Sequence, residues 1–223
     1  MKLALFDLDG TLIPKDSDHA FGEFLITRGW ADEAEFRRRN DAFYEDYLAG
    51  RLDIDAYVEF ATSPWRGRSE AELQHATEGF LEDVVRPMIH PQALALVQRH
   101  QQAGDLVAVV TATNDFVTRP IARLFGVEEL IATTLQRDAQ GRVTGRIEGV
   151  PSFREGKITR VHAWLAQRGQ RWADFSSSCF YSDSTNDLPL LECVSEPVAT
   201  NPGPGLERIA LERGWPVLKL FSP

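Results

Sequence analysis

The chain has 223 residues, 43% of them apolar, and a formal net charge of −9. That length fits one large domain or one domain carrying a smaller module, and the apolar share suffices for a packed core, which excludes the disordered class. The acidic balance argues against binding nucleic acid or an anionic membrane through net charge. The two cysteines, Cys179 and Cys193, form no CxxC pair, which excludes a zinc framework or a disulfide scaffold.

The chain opens on Leu3-Ala4-Leu5-Phe6, a continuous apolar run that ends in the turn-prone Asp9-Gly10-Thr11. Such a run predicts a strand buried on both faces of a parallel sheet. Asp7 and Asp9 interrupt it at once, so it is not expected to act as a signal peptide. No window approaches the roughly 20 apolar residues that span a bilayer, and a soluble, cytoplasmic protein is expected.

From Asp18 to Val85 the sequence predicts no strand. Phe21, Phe24 and Leu25, then Phe36, Phe43, Tyr47 and Leu48, recur at helical spacing, and Asp53 and Ser69 are placed to cap further helices. A helical module is expected over 15–87, inserted into a larger unit made of 1–14 and 88–223. In that unit the apolar runs Leu106–Val110, Cys179–Tyr181, Pro197–Ala199 and Pro216–Leu218 alternate with helical patterns at Pro91–Gln102, Phe116–Phe125, Lys157–Gln167 and Leu206–Arg213. The alternation predicts an α/β fold with a doubly wound parallel sheet. Thr133 to Arg146, around Asp138-Ala139-Gln140-Gly141, reads as a β-hairpin beside it. No GxxxxGK[ST] occurs, which disfavours a P-loop nucleotidase.

Ligands of such sheets bind at the carboxyl ends of the strands. The first strand delivers Asp7 and Asp9 there, the Leu106 strand Thr111, and the Cys179 strand Asp183 followed by Asn186 and Asp187; Lys157 begins a helix nearby. Four carboxylates in one crevice repel one another, and a divalent cation relieves the repulsion. An all-oxygen donor set points to magnesium. Thr111 and Lys157 offer a donor and a positive charge to a phosphoryl group. Of Asp7 and Asp9, one carboxylate could attack phosphorus while the other, crowded by like charge, carries the proton. Plainer readings exist: the acids as turn formers and helix caps, Asp16 and His19 as surface groups, Lys157 as a solvated lysine. A lysine at a helix start opposes the macrodipole, which favours a ligand role.

Phe6-Asp7-Leu8-Asp9-Gly10-Thr11-Leu12 resembles the first motif of the haloacid dehalogenase superfamily. Val109-Val110-Thr111-Ala112-Thr113-Asn114 resembles the second, Lys157 the third, and Ser182-Asp183-Ser184-Thr185-Asn186-Asp187 the fourth, in the form of the phosphoserine phosphatase-like subgroup. The resemblance implies a magnesium-dependent phosphatase of small phosphomonoesters. Asp7 is then the nucleophile, Asp9 the general acid and base, and the Asp7 carboxylate, the Asp9 backbone carbonyl and Asp183 the metal ligands. Asp187 orients Lys157 or a metal-bound water. Thr111, Ala112 and Asn186 contact the substrate, the helical insert is a cap, and Asp16 stands where the subgroup reads a substrate amine. Phosphoserine-like compounds or amino-alcohol phosphates such as histidinol phosphate are the expected substrates. A subgroup arginine that reads a substrate carboxylate has no secure counterpart among Arg28, Arg37, Arg38, Arg39 and Arg51, and Thr111-Ala112-Thr113 replaces the subgroup's Ser-Gly-Gly. A phosphotransferase or mutase using the same phosphoaspartate, and a non-catalytic phospho-ligand module, are the alternatives.

Overall fold

A computed structural model describes residues 1–221. In chain order its strands are β1 (Leu3–Phe6), β2 (Leu106–Asn114), β3 (Leu130–Thr133), β4 (Leu135–Arg137), β5 (Val143–Ile147), β6 (Ser178–Ser182), β7 (Glu196–Thr200) and β8 (Val217–Leu218). Its α-helices are α1 (Ser17–Thr27), α2 (Glu33–Leu48), α3 (Ile54–Thr62), α4 (Glu70–Phe80), α5 (Pro91–Gln102), α6 (Asp115–Leu124), α7 (Glu155–Gln167), α8 (Leu188–Cys193) and α9 (Pro204–Arg213). Six strands form one sheet in the order β3-β2-β1-β6-β7-β8, and every neighbouring pair is parallel.

Side-chain alternation divides the core into two layers. Ala4 and Phe6 of β1 and Val107 and Val109 of β2 pack on one face with α5, α6 and the insert helices, through Leu96, Ile121, Phe21 and Phe80. Leu3, Leu5, Ala108 and Val110 pack on the other with α7, α8 and α9, through Val161, Leu190 and Leu206. Leu3, Leu5 and Phe6 have no exposed surface, and each such side chain contributes roughly 1.5–3 kcal/mol by burial. Parallel strands covered on both faces must be apolar throughout, which is why β1 has no polar residue until it ends.

Asp53 and Ser69 cap α3 and α4 as expected, and Glu72 completes a reciprocal capping box with Ser69. The hairpin starts later than the sequence suggests. Thr133 belongs to β3, the sheet's edge strand, because Ile131 fills the second core layer and β3 pairs with the end of β2. The hairpin proper is β4–β5, with its turn closed by Asp138 and Arg142. β2 also runs on through Thr111 to Asn114 rather than stopping at Val110. Gly145 lets the hairpin approach the insert: Arg66 donates to the Thr144 carbonyl at 2.7 Å, and a Cβ on Gly145 would overlap the guanidinium. Among the described residues no helix is long and apolar enough to cross a membrane.

Candidate active site

The chain runs from β1 outward to β2 and β3 on one side, and from β6 outward to β7 and β8 on the other. β1 and its two neighbours therefore flank the topological switch point, where open α/β sheets leave a crevice beyond their strand ends. Phe6 pairs with Val109 on one side and Tyr181 on the other. The residues that follow, Asp7, Thr111 and Asp183, are thus brought to one rim.

Lys157 is the charge centre of this rim. It is 1% exposed, and its Nζ lies 3.0 Å from Asp7 Oδ1, 2.6 Å from Asp187 Oδ1 and 2.7 Å from Asp187 Oδ2. Burial alone would lower its pKa, but Asp187 and Asp7 hold it above the ordinary lysine range. Asp187 also accepts from the Ser182 hydroxyl at 2.7 Å. Burial pushes Asp7 up to about 7 even against the pull of Lys157, and burial with the charges of Asp7 and Asp187 raises Asp183 well above the carboxylate range.

The first-motif turn is locked to Asp183. Thr11 Oγ1 donates to Asp183 Oδ1 at 3.0 Å and accepts from the Asp183 N–H at 3.1 Å. Gly10 has φ +74°, and a Cβ there would lie 2.3 Å from Asp183 Oδ2, so only glycine lets the carboxylate approach the turn. Asn201, itself at φ 46°, donates from Nδ2 to the Gly10 and Thr11 carbonyls, both at 3.1 Å. Asn201 braces the first-motif turn, a contact that could not be read from the sequence, since a lone strand-end asparagine carries no motif.

Asp9 is held between two donors. Its Oδ1 accepts from the Ser17 N–H at 2.8 Å and its Oδ2 from the Thr113 hydroxyl at 2.9 Å. Burial and Asp16 push its carboxyl up to about 7. Asp16 N-caps α1 through the His19 N–H at 2.7 Å and also lines the chamber beside Asp9. Asp16 thus serves as a helix cap while facing the chamber, and burial raises its carboxyl to about 6. Asp18 is buried against Asn114 Nδ2 at 3.1 Å and against the Tyr57 hydroxyl.

Above Asp7, Asp9, Thr111 and Ala112 lies a chamber closed by one face of α2. That face presents Asn40, Phe43, Tyr44 and Tyr47, at i, i+3, i+4 and i+7, and Tyr57 of α3 completes it. The spacing was readable, although only Phe43 and Tyr47 stood out as apolar. Among the described residues no lysine or arginine lines the chamber. The five arginines considered for a substrate carboxylate are engaged elsewhere: Arg37 with Glu23 and Glu33, Arg38 with Glu35, Arg51 with Asp46, Arg28 with the His75 carbonyl, and Arg39 over the Phe60 ring. Asn186, expected at the substrate, is instead turned to the insert, where its Nδ2 donates to the Tyr47 carbonyl at 3.0 Å. Arg154 donates to the Gly50 carbonyl beside it. These two residues fasten the end of α2 over the strand ends.

A family model described as haloacid dehalogenase-like hydrolase matches residues 4–192. The chain is 49% identical over 216 residues to a histidinol-phosphatase of Neisseria meningitidis serogroup C, covering 97% of each chain. A crystal structure of a Bordetella pertussis Tohama I protein of unknown function superposes with a TM-score of 0.93 at 54% identity, covering 99% of each chain. A substrate-bound phosphoserine phosphatase superposes with a TM-score of 0.67 at 18% identity, covering 97% of this chain and 92% of the other, a likeness of fold.

Proposed function

The chain belongs to the haloacid dehalogenase-like hydrolases and is a phosphatase of small phosphate metabolites, and from that premise we propose that it is magnesium-dependent and works through a phosphoaspartate on Asp7, with the helices of 15–87 as a cap over the site. The observation that carries this reading is Asp7 itself: a buried carboxylate at the switch point, 3.0 Å from the Lys157 ammonium and beside Asp9, whose carboxyl is fixed by two donors.

The residues present fit magnesium. Among the described residues no three acidic, histidine or cysteine side chains form a cluster that by itself could hold a metal ion. Magnesium seldom uses one; it takes one or two carboxylates and fills its remaining positions with water and substrate oxygens. The Asp7 carboxylate, the Asp9 backbone carbonyl and Asp183 are such a set. Among the described residues the buried ammonium of Lys157 pairs with Asp7 and Asp187, so with Asp9 and Asp183 beside them the rim carries surplus negative charge that a divalent cation offsets. Bound there, magnesium would neutralise phosphoryl oxygens and screen the nucleophile from its anionic substrate.

In this reading Asp7 attacks phosphorus, Asp9 gives its proton to the leaving oxygen and later takes one from water, and Thr111 with the Ala112 backbone receives the phosphoryl oxygens. Lys157 neutralises the charge that spreads over those oxygens in the transition state, and Asp187 orients Lys157.

The substrate we propose carries an amine and no carboxylate. Asp16 at the chamber wall suits a cation, and aromatic rings suit a flat group. A carboxylate would meet Asp16 with no arginine or lysine among the described lining residues, and the His19 ring at the wall is already engaged by Asp41 at 2.8 Å; a poorly compensated buried charge is strongly disfavoured. This favours an amino-alcohol phosphate over phosphoserine and agrees with the relative named histidinol-phosphatase. The experiment is turnover of histidinol phosphate, phosphoethanolamine and O-phosphoserine with magnesium, with D7N as control. We expect D7N to be folded and inactive, and O-phosphoserine to have the lowest kcat/KM. An active D7N would overturn the nucleophile; a preference for O-phosphoserine would overturn only the substrate class.

A further inference from the structure

Thr113 stands at a position where the resembled motif has glycine, and its two polar groups reach two different parts of the site. Its hydroxyl donates to Asp9 Oδ2 at 2.9 Å, and its N–H donates to Thr111 Oγ1 at 3.2 Å. It is 9% exposed and lines the chamber. The Ser17 N–H holds the other oxygen of Asp9 at 2.8 Å. With a donor on each oxygen, the Asp9 carboxyl cannot turn about its terminal torsion, which is otherwise broad and soft. With one lone pair engaged by the Thr113 N–H, the Thr111 hydroxyl is oriented while its proton stays free for a phosphoryl oxygen.

We propose that Thr113 is a positioning residue that sets the orientation of Asp9 toward the leaving oxygen. The inference rests on the reading of Asp9 as the proton donor. In that step the Asp7 oxygen forms its bond to phosphorus, the bond to the leaving oxygen breaks with its electron pair remaining on that oxygen, and the oxygen takes the Asp9 proton. Donation requires the acid within hydrogen-bond reach of one particular atom, so rotation of Asp9 weakens it without changing how the phosphoryl group is bound. The need for donation depends on the leaving group. It is large for phenolate and small for p-nitrophenolate, which departs readily without a proton.

The test compares kcat/KM for phenyl phosphate and p-nitrophenyl phosphate, a pair of similar shape, in wild type, T113V, T113S and D9N with magnesium. Valine keeps the side chain's volume and the backbone N–H and removes only the hydroxyl. We expect T113V to lose activity on both, and the loss to be about tenfold greater on phenyl phosphate, a part of the roughly 10²–10⁴-fold that general acid catalysis supplies. T113S should return the ratio to the wild-type value. A purely structural role would lower both substrates alike, together with Tm. If D9N shifts the ratio and T113V leaves it within about twofold of wild type, or if T113S fails to restore it, the role of Thr113 is overturned and Asp9 stands. If D9N itself leaves the ratio unmoved, the reading of Asp9 as donor fails first.

Discussion

Lys157 meets Asp187 through both carboxylate oxygens, at 2.6 and 2.7 Å, and meets Asp7 through only one, at 3.0 Å. The tighter grip on Asp187 leaves the second Asp7 oxygen free of the ammonium. A nucleophile needs that freedom, whereas an ion pair built for stability alone would engage both. All three residues are at most 3% exposed, so the charges are compensated by one another and by what binds.

Replacing Lys157 by Met keeps its apolar stem and removes the charge. Two carboxylates would then be buried without a counter-ion, and breaking such a pair costs about 3–5 kcal/mol. K157M is expected to melt well below wild type, and its kcat to fall by about 10²–10³-fold, the usual loss on removing a group that stabilises transition-state charge. Calorimetry and turnover of p-nitrophenyl phosphate check the two effects. A variant that lost stability but kept its rate would separate Lys157 from the chemistry.

Magnesium should stabilise the fold measurably, because it binds the native rim and not the unfolded chain. At a hundredfold excess over Kd such linkage contributes about 2.7 kcal/mol. D183N should abolish the magnesium-induced rise in Tm, and without magnesium it should melt above wild type, since it removes one of the crowded charges. G10A should also lose the rise, because its Cβ would lie 2.3 Å from Asp183 Oδ2. An equal shift in wild type and D183N would take Asp183 out of the metal site.

The strands and the acids at their ends were legible because a parallel strand is short, apolar and stopped by the polar residues it delivers. β1 has the bounds that its composition suggests, and α5 spans Pro91–Gln102 as its periodicity suggests. What could not be read depends on tertiary approach. β3 is four residues long and merges in sequence with the hairpin. Asn201 acts on residues about 190 positions away. Asn186 sits in a motif and yet turns its amide to the insert. Thr113 could be seen as a departure from the motif, but not as a partner of Asp9. These are side-chain choices made by neighbours that no local pattern specifies.

Trp65 ties the insert to the α/β unit. It is 2% exposed, stacks on Phe116 of α6 with ring centroids 4.4 Å apart, and donates from Nε1 to the Ala61 carbonyl at 3.1 Å. W65A should cost about 3–5 kcal/mol by opening a cavity between the two units, read as a lower urea midpoint. W65F should recover most of it by keeping the stack. If W65A matched wild type, the insert would be held by its other contacts alone.

The two cysteines should separate by chemistry. Cys193 is exposed, whereas Cys179 is 1% exposed within the core, where burial and then the Glu196 charge push its thiol from an ordinary 9.0 up to about 11. The thiolate is the reactive form, so a thiol-specific reagent at pH 8 should titrate one group in the native protein and the second only on unfolding. The same shift has a consequence for stability. A thiol that holds its proton more tightly when folded contributes stability in full below pH 9, and that contribution is lost as the pH rises through 11. The loss is on the order of 2 kcal/mol. C179A should start less stable, from the smaller side chain, but should fall more slowly than wild type between pH 9 and 11. Parallel Tm curves for the two proteins across that window would show that Cys179 ionises as freely in the fold as outside it.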